Sequence, residues 1–440
     1  MCLFFLFLPF LAQASDDAVR FRIFLKDKAG TEAPQLSALS LMRREKQGLT
    51  LDSTDFPVST KYKKVLLEKG FSILSQSRWM NTVVVSAPSP LSLDAVLALP
   101  FVAKVQTVWS KDLYQPTDAT KPIQSKVKES PNSSTVYGKA DMQVRMLGLP
   151  ALHEAGFKGR GKLIAVVDAG FFGADTMSWF KDVSILATKD FTGQSSSIFK
   201  GHAHGTSVLS VMAAKKDYIF VGTAPEATYC LLRSEDPQTE FPIEEDYWIA
   251  AVEYADSIGV DIVSSSVGYS EFDIKEMSYS KAQLDGKTAY ISKAARIAAA
   301  KGMLMVCSAG NLGSEAWAKI MFPADVATVL TVGSVQPSMA RSFFSSKGPT
   351  ADKRIKPDVV ALGSGVYSVN AFGQLYSGNG TSFSAPLISG MAACIWQAMP
   401  QLTALELLQL IRSIGSKAFT PDFECGYGVP DAKKIVNPNK

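Results

Sequence analysis

Short apolar runs alternate with amphipathic helical stretches along the chain from about residue 138 onward. Apolar residues fill 163–167 without a break, as in a strand that is buried on both faces. Other strand-like runs lie at 227–232, 261–263, 302–308, 326–335 and 358–362, and helical periodicity lies at 208–214, 247–258, 292–301 and 387–399. Such alternation is typical of a parallel sheet with helices on both faces. We therefore predict an α/β domain over 138–440, built on a doubly wound, mostly parallel sheet.

The first part of the chain has a different pattern. It predicts, in order, a strand over 21–26, a helix over 62–69, a hairpin within 71–87, a helix over 92–99 and a strand over 102–109. We therefore expect a small, separate α+β domain over 15–110. Periodicity is lost over 111–137, where Pro, Ser, Thr and Lys dominate. That composition is typical of a linker and of a segment that is open to cleavage.

An apolar run occupies 2–11 and is too short to span a bilayer. The small-x-small pattern Ala12-Gln13-Ala14 follows it, so we interpret 1–14 as a secretory signal peptide, although it lacks a positively charged start. The alternative is a short buried strand. No later apolar run reaches membrane-spanning length. We expect a secreted or periplasmic protein with no membrane span.

Composition and charge narrow the class of protein. Of the 440 residues, 47% are hydrophobic and 20% are charged, and the net charge is only +4. This is typical of a soluble globular protein and gives no support for binding nucleic acid. The charge is uneven, because residues 1–140 hold 18 Lys+Arg against 12 Asp+Glu, and the remainder holds 27 against 29. The two parts are therefore weakly complementary.

Five cysteines are present, and Cys2 would leave with the signal peptide. The other four are Cys230, Cys307, Cys394 and Cys425, whose spacing fits no metal site. An even number in an exported protein permits disulfides in three connectivities. Because three of the four lie in apolar strand or helix patterns, we favour buried free thiols.

Three chemically active residues stand at the ends of predicted elements. Asp168 ends the apolar run 163–167, His204 precedes the helical run 208–214, and Ser382 precedes the helical run 387–399. A serine hydroxyl is a poor nucleophile without an adjacent base, and the base needs an orienting partner. Asp, His and Ser can supply these three roles. In parallel sheets, functional sites lie beyond the carboxyl ends of the strands.

Each residue also has a structural interpretation. A serine before a helix is usually an N-cap, and an aspartate at a strand end is usually a turn residue. His202 is two residues from His204 and could be the base instead. Asn311 could donate to an oxyanion or simply favour a turn beside Gly310. The 266–268 segment could pair with an extended peptide or merely end a strand.

Together these segments resemble the subtilisin-like serine peptidases, the subtilase family. The motifs that carry the resemblance are Asp168-Ala169-Gly170, His204-Gly205-Thr206, Ala309-Gly310-Asn311, Gly222-Thr223-Ala224-Pro225, Ser345-Ser346-Lys347-Gly348-Pro349 and Gly380-Thr381-Ser382-Phe383-Ser384-Ala385-Pro386. They span roughly 140–435. The segment from Tyr137 to Phe172 is similar to subtilases of the Bacteroidetes group. Ala169, Phe383-Ser384 and Val267 depart from the commonest family residues, but none of them replaces a catalytic atom.

The resemblance implies a serine endopeptidase that acts on proteins or peptides and needs no cofactor for its chemistry. It implies Asp168, His204 and Ser382 as the catalytic residues and Asn311 as the oxyanion donor. The substrate-binding residues that it implies are Ser266, Val267, Gly268, Ala309 and Gly310. The small first domain would be a propeptide that inhibits the enzyme until it is cut off. Calcium is common in the family, but no carboxylate cluster in this sequence predicts a site.

Two other functions compete with this hypothesis. The chain could be a non-catalytic binding protein on a peptidase-like scaffold, although such proteins usually lose one of the four motif residues, and none is lost here. An acid-active sedolisin has no support, because a histidine occupies the position of the base.

Overall fold

The computed structural model describes residues 19–86, 93–111, 125–126, 134–195 and 197–436. The predicted signal peptide and most of the predicted linker lie outside the described residues. Among the helices in these ranges, none is both long and apolar enough to cross a membrane.

The first domain is an antiparallel sheet with helices packed beside it. Its elements are β1 (Arg20–Leu25), α1 (Ala38–Lys46), α2 (Thr60–Glu68), β2 (Ser72–Ser77), β3 (Thr82–Ser86), α3 (Leu93–Leu97) and β4 (Val102–Trp109). The described residues form a four-stranded sheet in the order β2-β3-β1-β4. The predicted strands, hairpin and two helices are confirmed within a few residues.

Helix α1 is the element of this domain that the pattern does not predict. Its N-cap is Ser37, whose hydroxyl accepts from the backbone N–H of Ser40. The helix buries Arg43 and Arg44, whereas its apolar Leu39 and Leu41 are exposed. The usual apolar stripe is therefore absent from the buried face of α1, and periodicity could not reveal the helix.

The second domain contains a seven-stranded sheet in the part of the chain that the structure describes. The strands of this sheet are β6 (Leu163–Asp168), β7 (Ser184–Asp190), β10 (Thr228–Arg233), β11 (Ile262–Ser265), β12 (Leu304–Ser308), β13 (Val329–Val335) and β14 (Val359–Leu362). Their order is β14-β13-β12-β11-β6-β10-β7, and every neighbouring pair is parallel. The predicted parallel sheet is therefore confirmed. The edge strand β7 was not predicted, because it has no continuous apolar run: four of its seven residues are exposed, and of these only Leu186 is apolar.

Helices cover both faces of this sheet. They are α4 (Asp141–Arg145), α5 (Leu149–Glu154), α6 (His204–Ala213), α7 (Ile243–Ile258), α8 (Tyr290–Ala300), α9 (Thr381–Ala398), α10 (Ala404–Ser413) and α11 (Lys433–Val436). Ile164 and Val166 of β6 pack into one core with α6 and α9. Ala165 and Val167 pack into a second core with α7 and α8. This division of alternate residues confirms the doubly wound arrangement.

Smaller strands lie outside the main sheet. β8 (Lys215–Lys216) pairs with β9 (Phe220–Val221), and β15 (Ser364–Val369) pairs with β16 (Leu375–Asn379). β5 (Ser125–Lys126), within the predicted linker, pairs antiparallel with β16. The linker thereby touches the strand that leads directly into α9.

Buried charged groups join the first domain to α7 of the second domain. Arg22 is 1% exposed, and its Nη2 donates to Oδ2 of Asp246 at 2.6 Å and to the carbonyl of Pro242 at 2.7 Å. Because both partners of this ion pair are desolvated, the loss of either one would leave an uncompensated buried charge.

A second cluster at the same interface converges on one carboxylate. Asp256 of α7 is fully buried and accepts hydrogen bonds from Arg43, Arg44 and Arg78 of the first domain. The weak charge complementarity that the sequence indicates is therefore concentrated into a few buried contacts.

The four cysteines of the described residues, Cys230, Cys307, Cys394 and Cys425, are buried and unpaired. Burial raises the pKa of Cys230 and of Cys307 to about 12. The interpretation as buried free thiols is confirmed, and the two raised pKa values describe unreactive groups.

Candidate active site at the carboxyl edge of the sheet

A carboxylate and an imidazole meet at the end of the central strand β6. Asp168 is the last residue of β6 and is 0% exposed, and His204 is the first residue of α6. His204 Nδ1 lies 2.8 Å from Asp168 Oδ1 and 3.0 Å from Oδ2. Since an ionised carboxylate only accepts, Nδ1 carries the proton of the neutral ring and Nε2 keeps its lone pair.

Two glycines allow α6 to begin this close to β6. A Cβ at Gly205 would lie 2.6 Å from the carbonyl oxygen of Gly170 and 3.0 Å from Cβ of Asp168. A Cβ at Gly170 would lie 2.8 Å from the carbonyl oxygen of His202. The glycines in the two motifs are therefore explained by close backbone approach.

Of the two neighbouring histidines, His204 is the one whose ring contacts Asp168. His202 is exposed, and its Nδ1 accepts from the backbone N–H of His204 at 3.3 Å. The His204 side chain is 30% exposed, so one side of its ring is open to a substrate.

The pKa of His204 is raised above its ordinary value by the balance of two opposed effects. Burial disfavours the imidazolium and by itself lowers the pKa, whereas the charge of Asp168 and its hydrogen bond raise it and prevail. The cationic ring is thus stabilised where a base would gain a proton.

Ser382 lies in the first turn of α9, which begins at Thr381 rather than after the serine. Its hydroxyl is therefore not the N-cap of this helix. The ring of Phe383, the next residue, has its centroid 6.2 Å from that of His204. No hydrogen bond joins the Ser382 hydroxyl to the imidazole within the described ranges, and such bonds are often long before substrate binds.

Asn311 faces the serine, and its orientation is fixed by its carbonyl end. Asn311 Oδ1 accepts from the backbone N–H and from the hydroxyl of Thr381, both at 2.9 Å. The amide nitrogen is left to donate elsewhere. A Cβ at Gly380 would lie 2.8 Å from Ser382 Oγ and 3.7 Å from Asn311 Nδ2, so the glycine keeps open the space between these two atoms.

The other predicted residues line the same edge. Ser266 follows β11, and its hydroxyl donates to the carbonyl oxygen of Ser382 at 2.9 Å. The predicted neighbours Val267, Gly268, Ala309 and Gly310 complete the ends of β11 and β12. The structure thus brings together the nine residues that the sequence singles out.

Thr381 has a role that its sequence pattern does not predict. Besides orienting Asn311, its hydroxyl lies 3.2 Å from the backbone nitrogen of Gly310, which donates to it. The only available signal was its position beside the serine, since its partners are about 70 residues away in the chain. Across the described ranges, no three His, Cys, Asp or Glu side chains form a group that could hold a metal ion.

The fold and this edge define a class of protein, the serine peptidases with a doubly wound α/β fold. A family model described as the subtilase family matches residues 159–428. A second, described as the peptidase S8 propeptide domain of Bacteroidota, matches residues 20–126. The chain therefore belongs to the subtilase family and is a serine peptidase with an N-terminal propeptide domain.

Individual relatives agree with this assignment. Subtilisin E of Bacillus subtilis (strain 168) is 26% identical over 361 residues, which cover 81% of each chain. The major intracellular serine protease of the same organism is 30% identical over 265 residues, covering 57% of this chain and 73% of its own.

Solved structures share the fold at lower identity. The epidermin leader peptide processing serine protease (EpiP) from Staphylococcus aureus has a TM-score of 0.66 and 16% identity, over 96% of this chain and 99% of its own. MycP1 from Mycobacterium smegmatis has a TM-score of 0.56 and 22% identity, over 73% and 90%.

The contact between Asp168 and His204 predicts the effect of an Asp168→Asn substitution on titration. Because the carboxylate stabilises the imidazolium, we expect the pKa of His204 to fall, so that the ring stays neutral to a lower pH. NMR titration of the imidazole in a Ser382→Ala background would measure the change. Asp190→Asn, at the end of β7, is the matched control and should leave the pKa of His204 in place. An unchanged His204 pKa in Asp168→Asn would contradict the assigned contact.

Proposed function

We propose that the protein is a secreted serine endopeptidase in which Ser382, His204 and Asp168 form a catalytic triad. The observation that carries this proposal is the hydrogen bond between Asp168 and His204, at the edge where Ser382 and Asn311 also lie. The chemistry follows from the atoms that face each other there.

Ser382 Oγ attacks the carbonyl carbon of the scissile peptide bond, and His204 Nε2 takes the hydroxyl proton. Asp168 holds the ring with Nδ1–H toward the carboxylate and stabilises the imidazolium that forms. His204 then gives the proton to the leaving amine, and the acyl-enzyme remains. Water repeats the sequence of steps to release the acid and regenerate Ser382.

The developing oxyanion needs donors that are already in place. Asn311 Nδ2 supplies one, because Thr381 occupies the other end of the amide. The backbone N–H of Ser382, in the first turn of α9, supplies the second. Donors that are fixed before the reaction stabilise the transition state without reorganisation.

The first domain supports production of the enzyme as an autoprocessed zymogen. It is anchored to α7 through Arg22–Asp246 and the arginines on Asp256. From β4 the chain continues to β5, which pairs with β16, the strand before Ser382. Residues 125–126 of the linker thus lie beside the strand that leads to the reactive serine, and we propose that the cleaved bond lies within 111–137. Export is supported by the predicted signal peptide at 1–14.

Replacing the nucleophile tests the proposal most directly. We expect Ser382→Ala to lower peptide hydrolysis by about a million-fold in kcat, the scale typical of a lost triad serine, and to abolish labelling by a fluorophosphonate probe. Ser413→Ala, an exposed helix serine, is the matched control and should keep both. Undiminished turnover in Ser382→Ala, or unlabelled mature protein, would refute the triad, and the second result would favour a binding protein.

The oxyanion assignment predicts a change in kcat rather than in KM. Asn311→Leu removes a donor that acts mainly in the transition state, so we expect kcat to fall about 100- to 1000-fold with KM nearly constant. Steady-state kinetics on one peptide substrate would measure both constants. A rise in KM at constant kcat would show that Asn311 serves ground-state binding instead.

Autoprocessing predicts that exported wild-type protein is smaller than the Ser382→Ala variant, which cannot cut its own linker. When the complete chain is expressed in a bacterial host, we expect exported wild-type protein to begin within 111–137, as determined by mass spectrometry. Ser382→Ala should retain the first domain, because the bond is cut by the enzyme itself. Fully active protein that still begins near Ser15 would contradict the zymogen, and wild-type protein confined to the cytoplasm would contradict export.

A further inference from the structure

A methionine side chain lies between the two segments that border the reactive corner. Met321 is held at the edge by its backbone N–H, which donates to the carbonyl of Ala309 at 3.0 Å. The next residue, Phe322, pairs with Tyr269 through two backbone hydrogen bonds of 2.9 Å. The segment that carries Met321 therefore bridges the ends of β11 and β12.

The side chain of Met321 fills the gap between two glycines of these segments. A Cβ at Gly310 would lie 2.7 Å from both Cγ and Sδ of Met321, and a Cβ at Gly268 would lie 3.3 Å from its Cβ. Met321 is only partly buried, so part of it is accessible from outside the protein.

The position of the attacked carbonyl decides which substrate group enters the gap. Its carbon must approach Ser382 Oγ while its oxygen faces Asn311 Nδ2. The P1 side chain is attached one atom away from that carbon. Ser266, which donates to the Ser382 carbonyl, begins one wall of the gap, and Ala309-Gly310 forms the other. The P1 side chain thus has this gap beside it.

The substrate-binding segments that the family resemblance implies, 266–268 and 309–310, thus border the gap on both sides. We infer that Met321 closes the floor of this gap. The enzyme then selects peptides with a small P1 residue, namely glycine, alanine or serine. This inference rests on the proposed function, since it assumes acyl transfer to Ser382. An aromatic P1 group would have to displace Met321 from its contacts with both glycines.

The inference is tested with tetrapeptide p-nitroanilides that differ only in P1, which is alanine, leucine or phenylalanine. For mature wild-type enzyme we expect kcat/KM to be about tenfold or more higher for alanine than for phenylalanine, the scale of discrimination that pocket size achieves. Met321→Gly should raise kcat/KM for phenylalanine relative to that for alanine about tenfold or more.

Met339→Gly is the matched control, because Met339 is 46% exposed and has a φ of 69°, where glycine is readily accommodated. It should keep the wild-type P1 ratio. Met321→Ala provides a second, milder opening of the floor if Met321→Gly does not fold, and it should shift the ratio in the same direction.

Two results would overturn the inference: wild-type enzyme that cleaves the phenylalanine substrate as well as the alanine one, or an unchanged ratio in the folded Met321 variants. Both leave the triad intact, since Ser382→Ala would still abolish every activity. Wild-type enzyme that hydrolyses none of the substrates would instead count against the proposed function itself, and the inference would fall with it.

Discussion

The close approach of α6 to the end of β6 is the constraint on which the site depends. His204 can reach Asp168 only because the backbone at Gly205 passes where any side chain would collide with Gly170 and with Asp168 itself. The carboxylate is completely buried, so it depends on protein donors, the imidazole and the backbone N–H of Ala169. A larger residue at 205 would separate the helix from the strand and leave a buried charge with too few partners, a loss that costs about 3–5 kcal/mol in comparable pairs. Both the packing of α6 against β6 and the contact between His204 and Asp168 therefore require glycine at position 205.

The sequence predicted much of this arrangement because burial on both faces removes polar residues from a strand. The run 163–167 is an example, and its ends were correct within one residue. Prediction failed at α1, which buries arginines, and at the edge strand β7, where four of the seven residues are exposed. It also missed α10, although that helix buries the apolar Leu407, Leu408 and Ile411.

In the site, too, some features can be predicted from the sequence and others cannot. Asp168, His204, Asn311 and Ser382 stand in short motifs, so neighbouring residues reveal their chemistry. The contacts that orient these residues are not visible in any short motif. Thr381 holds Asn311, and Ser266 holds the Ser382 carbonyl, across about 70 and 116 residues of chain. No local pattern encodes such pairs, which arise only when parallel strands bring their ends to one edge.

The buried charges between the propeptide domain and α7 determine how this domain is positioned on the rest of the protein. A buried ion pair often contributes little more stability than an apolar pair of the same volume, but a misplaced partner is strongly penalised. Asp256, with three arginines around it, therefore fixes one position of the domain, beside an apolar cluster in which Val84 and Val108 of the first domain pack with Phe241, Ile243 and Tyr247. If the linker is cut as we propose, water can solvate the separated charges, so that only the apolar part of the interface would be left exposed. The charged contacts thus suit a propeptide domain that binds in one register. Helix α1, which supplies Arg43 and Arg44, accordingly buries these charged side chains in place of an apolar stripe.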